Sequence, residues 1–117
     1  MIEYRLIIFS RDVNPSTIND ILGLNSMANS NDRDIWIHYH NDDQLEDARD
    51  PIIFYSNLVS EKIKDLLKSG IDKDDIRLEL LYEYNGQCNL ELTSDQIQAL
   101  TKTGLSINIS CWESEYD

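Results

Sequence analysis

The apolar and polar residues of this chain follow two periods, one typical of strands and one typical of helices. Residues 4–10 (YRLIIFS) are apolar at consecutive positions, which predicts a strand buried on both faces near the centre of a sheet. Alternation of apolar and polar positions predicts four further strands, at residues 35–40, 76–84, 87–92 and 105–112. The two middle ones flank Asn85-Gly86, a dipeptide that tolerates positive φ, so we predict that they form a hairpin.

Three helices are predicted between these strands from their capping residues. Each has a good N-cap at its start and a glycine just past its end. These pairs are Asn14 and Gly23, Asp50 and Gly70, and Thr93 and Gly104. The predicted order is β-α-β-α-β-β-α-β. We therefore expect one α+β domain over residues 1–117, with a single five-stranded mixed or antiparallel sheet and the three helices on one face.

The strand at residues 35–40 decides what the uncovered face of this sheet presents. It carries Trp36, His38 and His40 on one side, and Ile35, Ile37 and Tyr39 on the other. We expect the helices to cover the isoleucine side, together with Leu78, Leu80, Ile107 and Ile109. The opposite face would then present Trp36, His38 and His40 with Ile7, Phe9, Leu81 and Trp112. Such an aromatic face is a second small core, a homodimer interface or a docking face, and the pattern leaves all three open.

Charge is the strongest signal in the composition. The chain has 22 acidic and 10 basic residues, a net charge of −12 and a pI near 4.3. Nucleic acids and anionic membranes attract cationic surfaces, so we expect neither as a partner. Residues 1–10 contain Glu3 and Arg5 and fit neither a signal peptide nor a membrane span, which favours a cytoplasmic protein.

Carboxylates gather beside aromatic residues at two places in the chain. One group follows His40 and comprises Asp42, Asp43, Glu46 and Asp47, with Arg49 as the only opposing charge before Asp50. The other is the stretch 112–117, with Trp112, Glu113 and Glu115. Clustered carboxylates next to aromatic anchors accelerate encounter with a cationic protein and pair with its Arg and Lys residues after docking. Alternatively, the first group is a solvated loop that leads into a helix capped by Asp50.

Catalysis has little support in the sequence. His38 and His40, two apart on a strand, could chelate a divalent metal with Asp42 or Asp34, but an i, i+2 histidine pair discriminates poorly. Cys88 and Cys111 lack CxxC spacing and occupy predicted strands, which indicates buried free thiols. We find no nucleophile, phosphate-loop or metalloprotease motif and expect no cofactor.

The chain resembles the bacterial family known as domain of unknown function 4279. The resemblance is carried by Pro15, Ile18 and the run Leu22-Gly23-Leu24, by Trp36, and by residues 89–109 (NLELTSDQIQALTKTGLSINI). The chain departs from the family pattern after Leu24, where members often have a Pro-Thr and a Lys-Gly step. The resemblance implies an α+β fold of about this length and brings no catalytic residues.

These observations predict a non-enzymatic acidic binding protein, most concretely a bacterial immunity protein that occludes the active site of a basic, nuclease-type toxin domain. The predicted contact residues are Trp36, His38, His40, Asp42, Asp43, Glu46, Asp47, Trp112, Glu113 and Glu115. We expect a monomer or a weak homodimer. The alternatives are a metal-dependent hydrolase using His38, His40 and Asp42, and a regulatory or structural domain.

Overall fold

The described part of the chain forms four strands and three α-helices. The structure is a computed structural model that describes residues 2–29, 34–41 and 50–114. In chain order the elements are β1 (Ile2–Phe9), α1 (Pro15–Leu22), β2 (Ile35–Asn41), α2 (Pro51–Ser69), a 3₁₀ turn (Lys73–Asp75), β3 (Ile76–Tyr84), α3 (Ser94–Thr103) and β4 (Ile107–Glu113).

The strands form one mixed sheet in the order β2-β1-β3-β4. β1 is antiparallel to both β2 and β3, whereas β3 and β4 are parallel and joined through α3. β2, β3 and β4 therefore run in one direction, and their C-terminal ends lie at the same end of the sheet as the start of β1.

The predicted five-stranded sheet is wrong, because four strands are formed in the described part of the chain. β3 ends at Tyr84, and residues 87–92 follow the turn at Gly86 (φ +76°) without joining the sheet. The second strand of the predicted hairpin would have to pair with β3, but both edges of β3 are already paired. β1 occupies one edge and β4 the other. The run 107–113 is longer and more apolar than 87–92 and pairs there instead.

The helix ends are formed as the capping residues predict. The Asn14 side chain accepts a hydrogen bond from Ser16 N at 3.0 Å, and Thr93 and Gln96 form a reciprocal capping box. The Asp50 carboxylate accepts from the backbone N–H groups of Ile52 and Ile53. Its second oxygen accepts from Gln96 Nε2 at 2.7 Å, which links the starts of α2 and α3.

The hydrophobic core lies between one face of the sheet and the helices. It is built from Leu6 and Ile8 of β1, Trp36 of β2, Tyr55, Val59 and Leu66 of α2, and Ile76 and Leu78 of β3, among others. Ile76, Leu78 and Leu80 are buried, as the alternation of β3 predicts. None of the helices in the described ranges is both long enough and apolar enough to cross a bilayer.

The Asp50 cap can be tested by substitution. We expect Asp50→Ala to lower the free energy of unfolding by about 1–3 kcal/mol, because the change removes two cap hydrogen bonds and the link to Gln96. Urea unfolding measures this change in the free energy of unfolding. Asp72→Ala is the matched control, since Asp72 holds an N-cap position without a side-chain hydrogen bond. Equal effects of the two variants would contradict the role of the cap.

Candidate functional site

A buried cluster of three rings lies where β2 meets α2. The backbone of β2 directs His38 and His40 toward the helices, and the Tyr55 hydroxyl of α2 lies between them. This hydroxyl is 2.7 Å from His38 Nδ1 and 2.9 Å from His40 Nδ1. Tyr55 is fully buried and His38 nearly so. The two imidazole centroids are 5.2 Å apart, with Phe54 edge-on to His40.

The hydrogen bonds of this cluster require uncharged imidazole on at least one side. A tyrosine hydroxyl donates one hydrogen bond, so it donates to one Nδ1 and accepts from the Nδ1–H of the other ring. Burial lowers the pKa of His38, and the proximity of His40 lowers it further. Burial also raises the pKa of Tyr55, which keeps its hydroxyl protonated. The cluster is thus a hydrogen-bonded polar network that ties β2 to α2 at the border of the core.

Trp36 is anchored on the same face of β2. Its indole Nε1 donates to Asn19 Oδ1 of α1 at 2.8 Å, and that oxygen also accepts from Ser26 N at 3.0 Å. The ring is completely inaccessible to solvent. The indole N–H, which would be costly to bury alone, therefore has a partner supplied by the helix above it.

The predicted direction of β2 is wrong. Trp36, His38 and His40 face the helices, and Ile35, Ile37 and Tyr39 lie on the opposite face, which no helix in the described ranges covers and which we call the uncovered face. Both sides of β2 are apolar enough to be buried, so alternation alone does not select one. The polar partners select it: the hydroxyl of Tyr55 and the amide of Asn19 satisfy ring nitrogens that would otherwise be buried unpaired. Trp36 and His38 are consequently removed from any exposed surface.

The structure places the two histidines of the metal hypothesis, and the hypothesis itself stays a prediction because Asp42 is not among the described residues. The Nδ1 atoms of both histidines are directed at Tyr55, and Asp34 is exposed at the opposite end of β2. Among residues 2–29, 34–41 and 50–114, no group of three His, Cys, Asp or Glu side chains is placed to hold a metal ion.

The uncovered face of the sheet has an apolar half and a charged half. Strand register places Phe9, Ile7, Ile35 and Ile37 together at one end. Arg77 covers part of this half, with its guanidinium 5.1 Å from the centre of the Phe9 ring, and Ile7 is only 7% exposed. Because neighbouring side chains cover these apolar residues, this half of the face forms a small second apolar layer.

The other half, which we call the acidic end, comprises Glu3, Glu83 and Trp112, and Glu113 follows Trp112 with its side chain on the helix side of β4. Glu83 lies beside Trp112 in the register of β3 and β4, and the Trp112 side chain is 43% exposed. Glu3 forms an ion pair with Arg5. Trp112 and Glu113 are exposed, as predicted for contact residues.

Both acid-rich stretches of the sequence connect to this end of the sheet. Residues 42–49 follow Asn41 at the end of β2, and residues 115–117 follow Ser114, which donates its N–H to Tyr84 O. The predicted contact residues Asp42, Asp43, Glu46, Asp47 and Glu115 lie outside the described residues. The fold therefore brings the points of attachment of the two stretches to the same end of the sheet, one on each of its two edge strands.

The two cysteines are not buried, contrary to prediction. Cys88 lies in the connection after β3 and Cys111 in β4, and both are exposed free thiols. Desolvation raises the pKa of Cys111, and so does the Cys88 thiol, which hydrogen-bonds to it. The prediction assumed that helices cover β4, whereas α3 packs mainly on α2.

Sequence reasoning missed Tyr55 and Asn19 as partners of the β2 rings, and Glu83 as a neighbour of Trp112. Tyr55 lies among apolar residues of its helix, so the sequence does not mark its hydroxyl as a hydrogen-bond partner. A signal was present for Asn19: a polar residue one turn before the end of a short amphipathic helix suits a buried hydrogen-bond partner. Neither pairing follows from spacing along the chain, because both join residues 17 positions apart.

Comparison with protein-family models, with curated protein sequences and with solved structures gives no match. The resemblance to domain of unknown function 4279 therefore stays a prediction, and the fold and the surface are the basis for assigning a role.

The Tyr55 hydroxyl can be tested by removing a single oxygen atom. We expect Tyr55→Phe to lower the free energy of unfolding by about 1–3 kcal/mol, because the buried imidazole of His38 and the half-buried imidazole of His40 lose a shared partner. Tyr39→Phe, on the uncovered face, is the control and should change it by less than about 0.5 kcal/mol. Urea unfolding of both variants measures this difference. A Tyr55→Phe protein as stable as the Tyr39→Phe protein would contradict a structural role for the cluster.

The lowered pKa of His38 predicts a pH dependence of stability. The unfolded chain binds a proton at His38 below about pH 6.5, whereas the folded chain resists it until the pH falls further. Stability is therefore full above that pH and declines as the pH falls through the interval down to the folded pKa. Urea midpoints at several pH values should decline more steeply for the wild type than for His38→Gln. Parallel declines would contradict the assignment.

Proposed function

We propose that this chain is a non-enzymatic binding protein, and most concretely a bacterial immunity protein that neutralises a basic toxin domain of the nuclease type. The observation that supports it is the acidic end, where an exposed tryptophan stands beside the Glu83 carboxylate on a rigid sheet, with Glu113 as the next residue of β4. Trp residues at the centre of protein interfaces often contribute most of the binding energy.

The charge of the chain fits this class of partner. A nuclease active site is cationic because its substrate is a polyanion, so an acidic surface is complementary to it. With a net charge of −12, the chain would be drawn to such a site over several ångströms beyond contact. The same charge discourages binding to nucleic acid, so the chain would compete for the toxin and not for its substrate.

The mechanism is occlusion. Trp112 provides the apolar anchor, and Glu113 with the acids of both attached stretches pairs with basic residues around the toxin's active site. In this proposal Asp42, Asp43, Glu46, Asp47 and Glu115 retain the role predicted for them. Trp36 and His38 do not take part, because they are buried in the core. His40 is half-buried against Tyr55, two positions before Asp42 in the sequence.

The proposal is tested by co-expression in a bacterial host with a basic toxin domain encoded beside this gene. We expect the wild-type chain to restore growth. Trp112→Ala should weaken binding to the purified, catalytically inactivated toxin by about 2 kcal/mol, which is roughly thirtyfold in Kd.

Met27→Ala is the matched control, because Met27 has a similar exposed fraction, 47%, and lies beside the opposite edge of the sheet. Its affinity should equal that of the wild type. Growth arrest that the chain does not relieve, or equal losses from Trp112→Ala and Met27→Ala, would reject the proposal.

A further inference from the structure

β4 is an edge strand that the rest of the described chain leaves uncovered. It pairs with β3 on one side only, and six of its seven residues are exposed. Ile109 is 42% exposed even though its side chain points to the helix side of the sheet, because α3 packs on α2. The opposite edge differs: along β2, the N–H of Met27 donates to Ile37 O and the Ser26 hydroxyl accepts from Ile37 N.

The free hydrogen-bonding groups of β4 belong to alternate residues. Leu78 N donates to Ser106 O, and Ser114 N donates to Tyr84 O. In a parallel ladder, alternate residues of a strand direct both backbone groups at the same neighbouring strand. The even-numbered residues from Ser106 to Ser114 therefore direct their N–H and C=O groups at β3. The N–H and C=O groups of the odd-numbered residues point outward. These residues are Ile107, Ile109, Cys111 and Glu113, and no backbone hydrogen bond from another element reaches them in the described ranges.

This edge also lacks the usual protection against pairing. Edge strands are commonly blocked by lysine, proline or a bulge. β4 is regular over its whole length, has no proline or lysine, and offers two isoleucines and a cysteine at its outward positions. Its chemistry is that of a strand that accepts another strand.

The charges along the edge identify the strand that fits. Lys73 and Arg77, with Asp74, line a shallow depression together with Leu105 and Ser106 at the start of β4. At its other end stand Glu83 and Glu113. The edge is therefore basic at its start and acidic at its finish, which is self-complementary for an antiparallel arrangement and repulsive for a parallel one.

We propose that β4 pairs antiparallel with β4 of a second copy of this chain, joining two four-stranded sheets into one of eight strands. A twofold axis at Ile109 places the two Ile109 residues opposite one another and Ile107 opposite Cys111 of the second copy. Glu113 then lies opposite Leu105 of the second copy, next to Lys73 of that copy. This interface shares Glu113 with the proposed toxin contact but uses the strand edge and leaves the Trp112 ring on the uncovered face, so Ile109→Pro tests it without changing a residue of the toxin contact.

The first test removes one outward donor. Ile109→Pro deletes an N–H that points away from β3, so the ladder within the monomer is kept. In reducing buffer, sedimentation equilibrium from about 1 µM to about 500 µM should show a wild-type dimer that forms with rising concentration. Ile109→Pro should stay monomeric with an unchanged circular dichroism spectrum, and Ile109→Val, which keeps the N–H, should dimerise.

The second test holds even if the proline variant fails to fold. Glu113→Lys and Lys73→Glu should each weaken self-association at least roughly tenfold, because each creates two like-charge pairs across the twofold axis. An equimolar mixture of the two variants should regain wild-type association, since both pairs in the mixed dimer are opposite in sign. A wild-type chain that stays monomeric over the whole range, a folded Ile109→Pro dimer, or a mixture no tighter than the separate variants would overturn the proposal.

Discussion

The hydroxyl of Tyr55, held between the imidazoles of His38 and His40, is the interaction on which the arrangement of the sheet depends. A strand has a side-chain period of two, so a single tie of this kind decides the direction of every residue in β2. The indole of Trp36 reinforces the same choice through Asn19. Three rings that carry polar atoms are thereby placed inside the core, each with a hydrogen-bond partner on a helix.

The direction of β2 determines which side chains lie on the surface. The Nδ1 atoms of both imidazoles are directed at Tyr55, inside the sheet–helix layer. The uncovered face receives Ile35, Ile37 and Tyr39 instead, and Trp112 is exposed at the acidic end. The two surfaces on which our proposals rest, the acidic end and the open edge of β4, are therefore both formed outside the cluster.

Local signals in the sequence predicted the local structure well. Asn14, Asp50 and Thr93 cap their helices as expected, because capping depends on residues within one turn of each other. The inward face of β3 was also predicted, since its other face carries Arg77, Glu79 and Glu83. In each of these cases the polar residues themselves exclude the alternative.

Features that depend on distant partners were not predictable in this way. β2 has an apolar residue on either side, and only Tyr55 and Asn19 determine which side is buried. The predicted hairpin failed because its second strand competes with β4 for one edge of β3, a competition between segments 20 residues apart. The thiols of Cys88 and Cys111 are exposed because α3 packs on α2. The alternation of apolar and polar residues within β4 does not indicate this packing.

The burial of Trp36 tests most directly whether β2 directs its tryptophan and histidines toward the helices. The chain has two tryptophans, so Trp112→Phe leaves Trp36 as the only source of tryptophan fluorescence. We predict blue-shifted emission and quenching by acrylamide that is severalfold weaker than that of N-acetyltryptophanamide, both lost on unfolding in urea. Emission and quenching equal to those of the free compound in the folded protein would show β2 turned the other way and would contradict the account.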